Sequence, residues 1–366
     1  MATIIDQPAS DRHNRPRSAV TRKKLVGQEA RLAVILVNWR SARDTIECLE
    51  TLLRSSIPVH AIVCDNASGD GSADAIAAWT AGDAAAAPQN PALSHLFETT
   101  LPRPVDFDHL RPGQSLPDGP RKPLTILETG GNLGYAGGNN AGLRLALANP
   151  SITHFWLLNN DTVVEPDTAE RILACFDARL ELGMLGTDLR LYHQPERLQM
   201  QGVLSFDKWT GRALGIGAGR LGSDPLPTDE VEAKADFVCG ASLTVSRAFL
   251  DQIGLLEQRY FLYYEEVDWA VRGRARFSLG YCPGAVVYHK EGASAGSSSG
   301  SDRRSPLSEY HHTRSRLIFS RLHYPALLPL YFGYGIALAG RRLLGGQWAK
   351  TAAILRASFG LPLVRR

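Results

Sequence analysis

No two of the five cysteines (Cys48, Cys64, Cys175, Cys239, Cys282) stand at CxxC spacing, so neither a zinc ribbon nor a dithiol redox motif is present. Their number is odd, their positions are widely separated, and Cys64 and Cys239 lie inside apolar runs that read as strands. That usage fits a reduced cytosolic compartment rather than a disulfide-stapled secreted scaffold. The first thirty residues lack the apolar stretch that a signal peptide requires, and 1–30 reads as a flexible leader. There is no internal repeat and no heptad array, which excludes a solenoid and a coiled coil. A formal net charge of +3 is too small to recruit nucleic acid.

What is present is a chain of 366 residues with 44% apolar content, enough for a real core in one large α/β domain or two ordinary ones. Its basic residues are unevenly spread. From Ser301 to Arg366 there are eleven Lys or Arg against two acidic residues, so 301–366 is a basic tail and the rest is net acidic. Within it, Tyr324 to Gly340 runs seventeen residues without a charge, interrupted by two prolines. About 20 apolar residues are usual for a bilayer span, so this segment suits a membrane interface or a buried core helix.

Leu32 to Asn38 is a continuous apolar run, as a strand buried on both faces reads. Ser41 offers an N-cap to a helix carrying Ala42, Ile46, Leu49 and Leu53 on one face. His60 to Asp65 and then Ala73 to Trp79 repeat the strand-and-helix grammar, which predicts a doubly wound, mostly parallel sheet. An Ala/Pro-rich stretch over 81–121 reads as an insertion loop. The grammar resumes with a strand at Leu124 to Glu128, a Gly/Asn-rich turn, a helix from Asn139 to Ala148, and a strand at His154 to Leu158. A helix with Pro166 in its first turn follows, to about Arg179. The second half is mixed, with strands at Met184 to Leu189, Phe237 to Val245 and Tyr281 to His289, and a helix from Glu266 to about Arg276.

In an open parallel sheet, ligands bind outside the carboxyl ends of the strands. Three polar clusters fall there: Asn38-Trp39, Asp65-Asn66-Ala67-Ser68 and Asn159-Asn160-Asp161-Thr162. Each alone is ordinary turn chemistry; three at one edge suggest a site. The turn from Gly130 to Asn140 opens a helix, and its glycines would let backbone N–H groups approach a diphosphate. Its spacing is not GxGxxG and it lacks a GK[ST] ending, so it is neither a dinucleotide fingerprint nor a P-loop.

The ordered set VILVNW, CDNASGDGS, GGNLGYAGGNN, LLNNDT, FVCGASLTVSR, RYFLYYEEVDWAVR and VVYHKEGAS resembles glycosyltransferase family 2, especially its bacterial rhamnosyltransferase-like members. The resemblance spans about Leu32 to Arg321. It implies a GT-A fold over 31–300, Rossmann-like with a mixed second half, followed by the tail as a C-terminal helical segment. It also implies an inverting transfer of sugar from a nucleotide-sugar to a hydroxyl, with dTDP-rhamnose the first choice of donor and a UDP-sugar the second. The acceptor would be a saccharide or lipid-linked hydroxyl in cell-surface polysaccharide synthesis, with the cytoplasmic face of the inner membrane as a partner surface.

By the same resemblance, Asp65 holds the nucleotide base with Asn38 beside it, and Asn132, Gly134, Gly137 and Asn139 line the diphosphate. Asn160 and Asp161 match the end of a DXD-type motif, whose last Asp ligates Mg²⁺ or Mn²⁺; here the earlier acidic positions are Asn. His289 matches a residue that completes the metal site. Glu266 occupies the place of the catalytic base, where the family usually has Asp, with Glu265 and Asp268 in support. A positioned base is the chemical requirement, worth roughly 10² to 10⁴-fold. Three alternatives compete. A sugar-phosphate nucleotidyltransferase would need a glycine-rich basic loop after the first strand, where this chain has NWRSARDT. A glycoside hydrolase would also pair carboxylates but has no use for a diphosphate loop. A degenerate nucleotide-sugar-binding scaffold is suggested by the Asn substitutions before Asp161.

Overall fold

The computed structural model describes residues 30–82, 88–117, 121–290 and 304–363. All but the last residue of the leader, and the stretch EGAS that ends the VVYHKEGAS motif, lie outside the described residues. The chain starts with β1 (Leu32–Asn38), α1 (Ala42–Leu52), β2 (Val59–Asp65) and α2 (Ser72–Thr80). Next come β3 (Phe107–Leu110), β4 (Leu124–Glu128), α3 (Gly134–Leu147), β5 (His154–Leu158), β6 (Thr162–Val164) and α4 (Thr168–Ala178). The second half holds β7 (Leu182–Leu191), β8 (Gln194–Met200), β9 (Val203–Asp207), β10 (Arg212–Gly215), α5 (Thr228–Ala233), β11 (Phe237–Val238) and β12 (Ser242–Ser246). It closes with α6 (Arg247–Ile253), α7 (Glu265–Gly273), β13 (Ser278–His289), α8 (Pro306–His323), α9 (Leu328–Leu344) and α10 (Trp348–Ser358).

The strands β3-β4-β2-β1-β5-β12-β7-β13-β6 form one sheet in that order, and β10-β9-β11 form a small second one. β3, β4, β2, β1 and β5 are mutually parallel, while β12 runs antiparallel between β5 and β7. Burial explains the uninterrupted apolar runs: six of the seven residues of β1 and all seven of β2 are buried, because helices cover both faces. One core lies under α1, α2 and α4 and a second under α3 and α7. β2 lies on one side of β1 and β5 on the other, so the chain reverses its winding at β1 and the polar ends of all three strands meet at one edge.

Several expectations need correction. The 81–121 stretch is not a plain loop: it contains a 3₁₀ turn (Pro91–Phe97) and the edge strand β3. Phe237 to Val245 is not one strand but two, β11 in the small sheet and β12 in the large one, so Cys239 falls between strands. α3 begins at Gly134, five residues before the expected start at Asn139, and at Gly138 and Gly142 the sheet lies too close for a side chain. A Cβ on Gly142 would sit 2.7 Å from Ile35 Cγ2 and 2.9 Å from Cys64 Sγ, and one on Gly138 would sit 2.9 Å from Val37 Cγ1. Pro166 precedes α4, whose N-cap is Asp167. Ser41 holds the N-cap position of α1, but its hydroxyl donates to Asp44 Oδ2 rather than capping the backbone.

The tail forms three helices. α8 is fastened to the domain by Ser315 Oγ donating to Leu262 O (2.9 Å), Arg316 Nε to Tyr264 Oη (3.0 Å), and His323 Nε2 beside Asp268 Oδ1 (2.6 Å). α9 and α10 pack back on α8, with Arg342 paired to Glu309 in the interior. Among the described residues no helix is long and apolar enough to cross a membrane.

Candidate functional site

The three strand ends are joined by a buried chain of hydrogen bonds. Asn160 Nδ2 donates to Thr45 Oγ1 (2.9 Å), Thr45 Oγ1 donates to Asn38 Oδ1 (2.9 Å), and Asn38 Nδ2 donates to Asp65 Oδ1 (2.7 Å). Ser68 closes it, donating its hydroxyl to Asp65 Oδ1 and its N–H to Asp65 Oδ2 (3.1 Å). Asn38, Asp65 and Asn160 are thus brought together. Thr45 and Ser68, which complete the chain, were not anticipated. A hydroxyl on α1 carries no periodic signal, although Ser68 stood inside a motif already singled out.

Asp161 immediately precedes β6, and β6 pairs with the last residues of β13 in the register His289↔Thr162. That register sets His289 Nε2 3.2 Å from Asp161 Oδ1, while Nε2 also lies 3.4 Å from Asn159 Nδ2. The other ring nitrogen, Nδ1, is 2.9 Å from Gln199 Oε1, an acceptor, which holds a proton on Nδ1 and turns Nε2 toward the carboxylate. With Nε2 deprotonated, this imidazole nitrogen and the Asp161 carboxylate make a fitting pair of ligands for a hard divalent cation. Among the described residues no cluster of three or more His, Cys, Asp and Glu could hold a metal, so the chain offers two such ligands here. Lys290, next along the chain, donates its N–H to Asp161 O (3.0 Å), and its ammonium is clamped between Asp44 and Glu47 of α1.

Glu266 stands in the first turn of α7, and the turn before it is strained: Tyr263 (φ 70°) and Tyr264 (φ 76°) are both left-handed. Such backbone costs of order 1–3 kcal/mol per residue and persists where packing over-determines it. Tyr264 is held by its hydroxyl on Gly211 O and by Arg316. Gly240 admits the Glu266 side chain, since a Cβ there would collide with Glu266 Oε1. Tyr135 of α3 donates to Gly240 O (2.6 Å), and Asn159 N–H donates to Ala241 O (3.0 Å), which ties the Glu266 neighbourhood to the end of β5. Burial pushes the Glu266 carboxyl from 4.5 up to about 7, opposed by hydrogen bonds from the N–H groups of Glu266 and Gly240. Burial and then the adjacent Glu266 charge drive Glu265 well above the usual carboxylate range. Glu265 is 2% exposed and its Oε2 has no hydrogen-bond partner.

Asp268 is engaged differently: Arg272 Nε donates to its Oδ2 (2.7 Å) and His323 lies on its Oδ1, so it joins α7 to α8. The glycine-rich segment is also occupied from within. Leu133 N–H is directed at Asn66 Oδ1 (3.3 Å), Gly134 N–H at Asn132 Oδ1 (3.0 Å) and Tyr135 N–H at Phe261 O (2.8 Å). Three of the segment's backbone donors are thus satisfied by the chain itself. Gly134 (φ 70°) lies so close to Phe261 O that no Cβ fits, a Cβ on Gly137 would sit 2.6 Å from Leu133 Cβ, and Asn139 Nδ2 donates to Tyr135 O (3.0 Å). Packing accounts for these glycines.

No protein-family model matches the chain. It is 26% identical over 175 residues to a low-salt glycan biosynthesis hexosyltransferase of Haloferax volcanii, covering 46% of this chain and 52% of that one. It is 35% identical over 89 residues to an N-acetylglucosaminyl-diphospho-decaprenol L-rhamnosyltransferase of Mycobacterium tuberculosis, covering 24% and 27%. The chain thus spans about half the length of the first relative and about a quarter of the second. A crystal structure of GalNAc-T7 with UDP, GalNAc and Mn²⁺ superposes with a TM-score of 0.50 at 11% identity, over 79% of this chain and 48% of that one. This chain has the GT-A fold and resembles the hexosyl- and rhamnosyltransferases of the glycosyltransferase family 2 kind.

Proposed function

We propose that the chain is an inverting glycosyltransferase that moves a sugar from a nucleotide-sugar donor to an acceptor hydroxyl, with Glu266 as the base. The observation that carries this reading is the Glu266 carboxylate itself, raised by burial to about 7 and set in a strained turn whose neighbours reach the end of β5. A base tuned near neutral pH accepts the hydroxyl proton with the least mismatch between readiness and strength. One base on the face opposite the leaving group makes a single displacement that inverts the anomeric carbon. Glu265, buried beside it and unpartnered at Oε2, is assigned a supporting role, as is Asp268.

Asp65, with Asn38 and Ser68 behind it, is assigned to the nucleotide base, and Asn160 to the donor through its place in the same hydrogen-bonded chain. Asn132, Gly134, Gly137 and Asn139 are assigned to shaping the wall beside the donor. Asp161 and His289 would hold Mg²⁺ or Mn²⁺, and a cation bound there would neutralise charge on the departing diphosphate. Mn²⁺ accompanies UDP in the GalNAc-T7 structure, which favours the same chemistry here.

For the donor, dTDP-rhamnose is the first assignment and a UDP-sugar the second, the former favoured by the rhamnosyltransferase similarity. A saccharide or lipid-linked acceptor in cell-surface polysaccharide synthesis agrees with that relative's diphospho-decaprenol name and with a location at the cytoplasmic face of the membrane. We assign 31–300 to the transferase domain and 301–366 to the tail. Nucleotide-sugars screened with Mn²⁺ by thermal shift and by release of nucleoside diphosphate test the proposal. A donor that raises the melting temperature and is turned over only with the cation supports it; tight binding with neither transfer nor hydrolysis would make the chain a scaffold.

A further inference from the structure

From Tyr310 onward the sequence contains no Asp or Glu at all, while Arg and Lys recur to the last residue. Glu309, just before, is buried and neutralised inside the fold by Arg342, so the surface of α8 to α10 has no carboxylate of its own. The same surface is unusually apolar. Leu330 and Tyr334 on α9 are half-exposed, and with Ala337, Arg341 and Leu344 they recur at helical spacing along one solvent-facing stripe. That stripe runs into the turn Gly345-Gly346, where Leu344 is 91% exposed and Trp348, opening α10, is 71% exposed. At the other end of the helix pair, exposed Phe359 packs edge-on to Phe332, with ring centroids 5.5 Å apart. Arg341 is exposed on this same stripe, and Lys350 and Arg356, both part-exposed, belong to α10.

Monomeric soluble surfaces rarely carry apolar area this contiguous without an occupant. A protein partner would be expected to meet charges of both signs, and a second copy would place cation against cation. A surface of apolar and aromatic side chains on helices whose own exposed charges are all basic complements an anionic bilayer, whose headgroups take the guanidinium and ammonium groups while Trp and Leu enter the acyl boundary. We infer that α9, α10 and the turn joining them form a monotopic membrane-docking face specific for anionic lipid, with Leu344 and Trp348 as its inserted residues. This deepens the membrane-surface part of the functional reading. It requires no crossing helix, in keeping with the short helices of the tail. α8, locked to α7 through His323 and Asp268, would hold the domain at a fixed orientation to the lipid.

The test is flotation of the full chain with phosphatidylcholine vesicles, with and without phosphatidylglycerol, and no donor present. Its failure leaves the transfer chemistry untouched, just as a chain without transferase activity could still float. The expected result is co-flotation with the phosphatidylglycerol vesicles only, weakened by salt. Leu344→Asp and Trp348→Asp should each lower partition about tenfold or more, and Arg341→Glu with Lys350→Glu should lower it while leaving apolar insertion sites intact. The four positions lie at or near the surface, and an unchanged circular dichroism melt separates lost docking from lost fold. Equal flotation with both vesicle types, no flotation with either, or variants that float like the parent would overturn the inference. So would a light-scattering dimer that Leu344→Asp dissociates, because the face would then join two copies.

Discussion

Glu266 meets two opposing demands, since a carboxyl buried enough to be a strong base is also harder to ionise. With burial raising its pKa to about 7, the ionised form that the proposed base role requires is lost as pH falls through 7. The dependence of kcat/KM on pH should therefore show an acid limb near 7, and Glu266→Asp should keep a limb while lowering the plateau. A profile flat down to pH 5 would remove Glu266 from the proton transfer. Asp161→Ala should weaken donor and Mn²⁺ together by tenfold or more, on the order of 1–3 kcal/mol, measured by calorimetry with each titrated separately. At this scale Asn38, Asp65 and His289 stood out as polar strand ends, and Asn160 and Asp161 as the polar turn that follows β5. Thr45, Gln199 and Lys290 did not: their partners come from other elements, and only the fold brings a hydroxyl of α1 between Asn38 and Asn160.

α3 is the element on which sequence and structure differ most instructively. Gly134, Gly137 and Gly138 of the Gly130–Asn140 turn already belong to a helix, which Gly138 and Gly142 seat against β1 and β2. Low helix propensity concealed the helix, and the packing that overrides it depends on neighbours remote in sequence. Gly142→Ala gains about a kcal/mol of intrinsic helix propensity but forces its Cβ onto Ile35 and Cys64, so a net loss of about 1–2 kcal/mol is expected by urea denaturation. A stabilised Gly142→Ala would show that α3 is not closely seated. The strands fared better: β1, β4 and β5 match the expected limits to the residue because continuous apolar runs bounded by polar ends are hard to mistake. Phe237 to Val245 was misread because an apolar run does not reveal which sheet each half joins.

At the scale of the whole molecule, buried ionisable groups give stability a definite pH dependence. Burial holds His60, His154 and His311 down to about 4 and His312 well below its ordinary 6.5. A histidine depressed in the fold contributes stability that is present above 6.5 and lost as pH falls through its folded value. Glu265 and Glu266 act oppositely, with stability present below about 4.5 and lost as pH rises through the folded values. Four histidines against two glutamates predict a melting temperature that falls as pH drops from 6.5 toward 4, and a differential-scanning series would read it; a rise across that window would contradict the burial of these rings. The parallel half of the sheet was legible from alternating strand and helix patterns, whereas the antiparallel insertion of β12 between β5 and β7 was not, since crossover topology has no local signature. The account of the molecule as a sugar-transferring enzyme comes down to one carboxylate. Measuring donor turnover and donor affinity for Glu266→Gln beside the parent is its most direct test: turnover should fall roughly 10² to 10⁴-fold with donor Kd nearly unchanged, and turnover close to the parent's would contradict it.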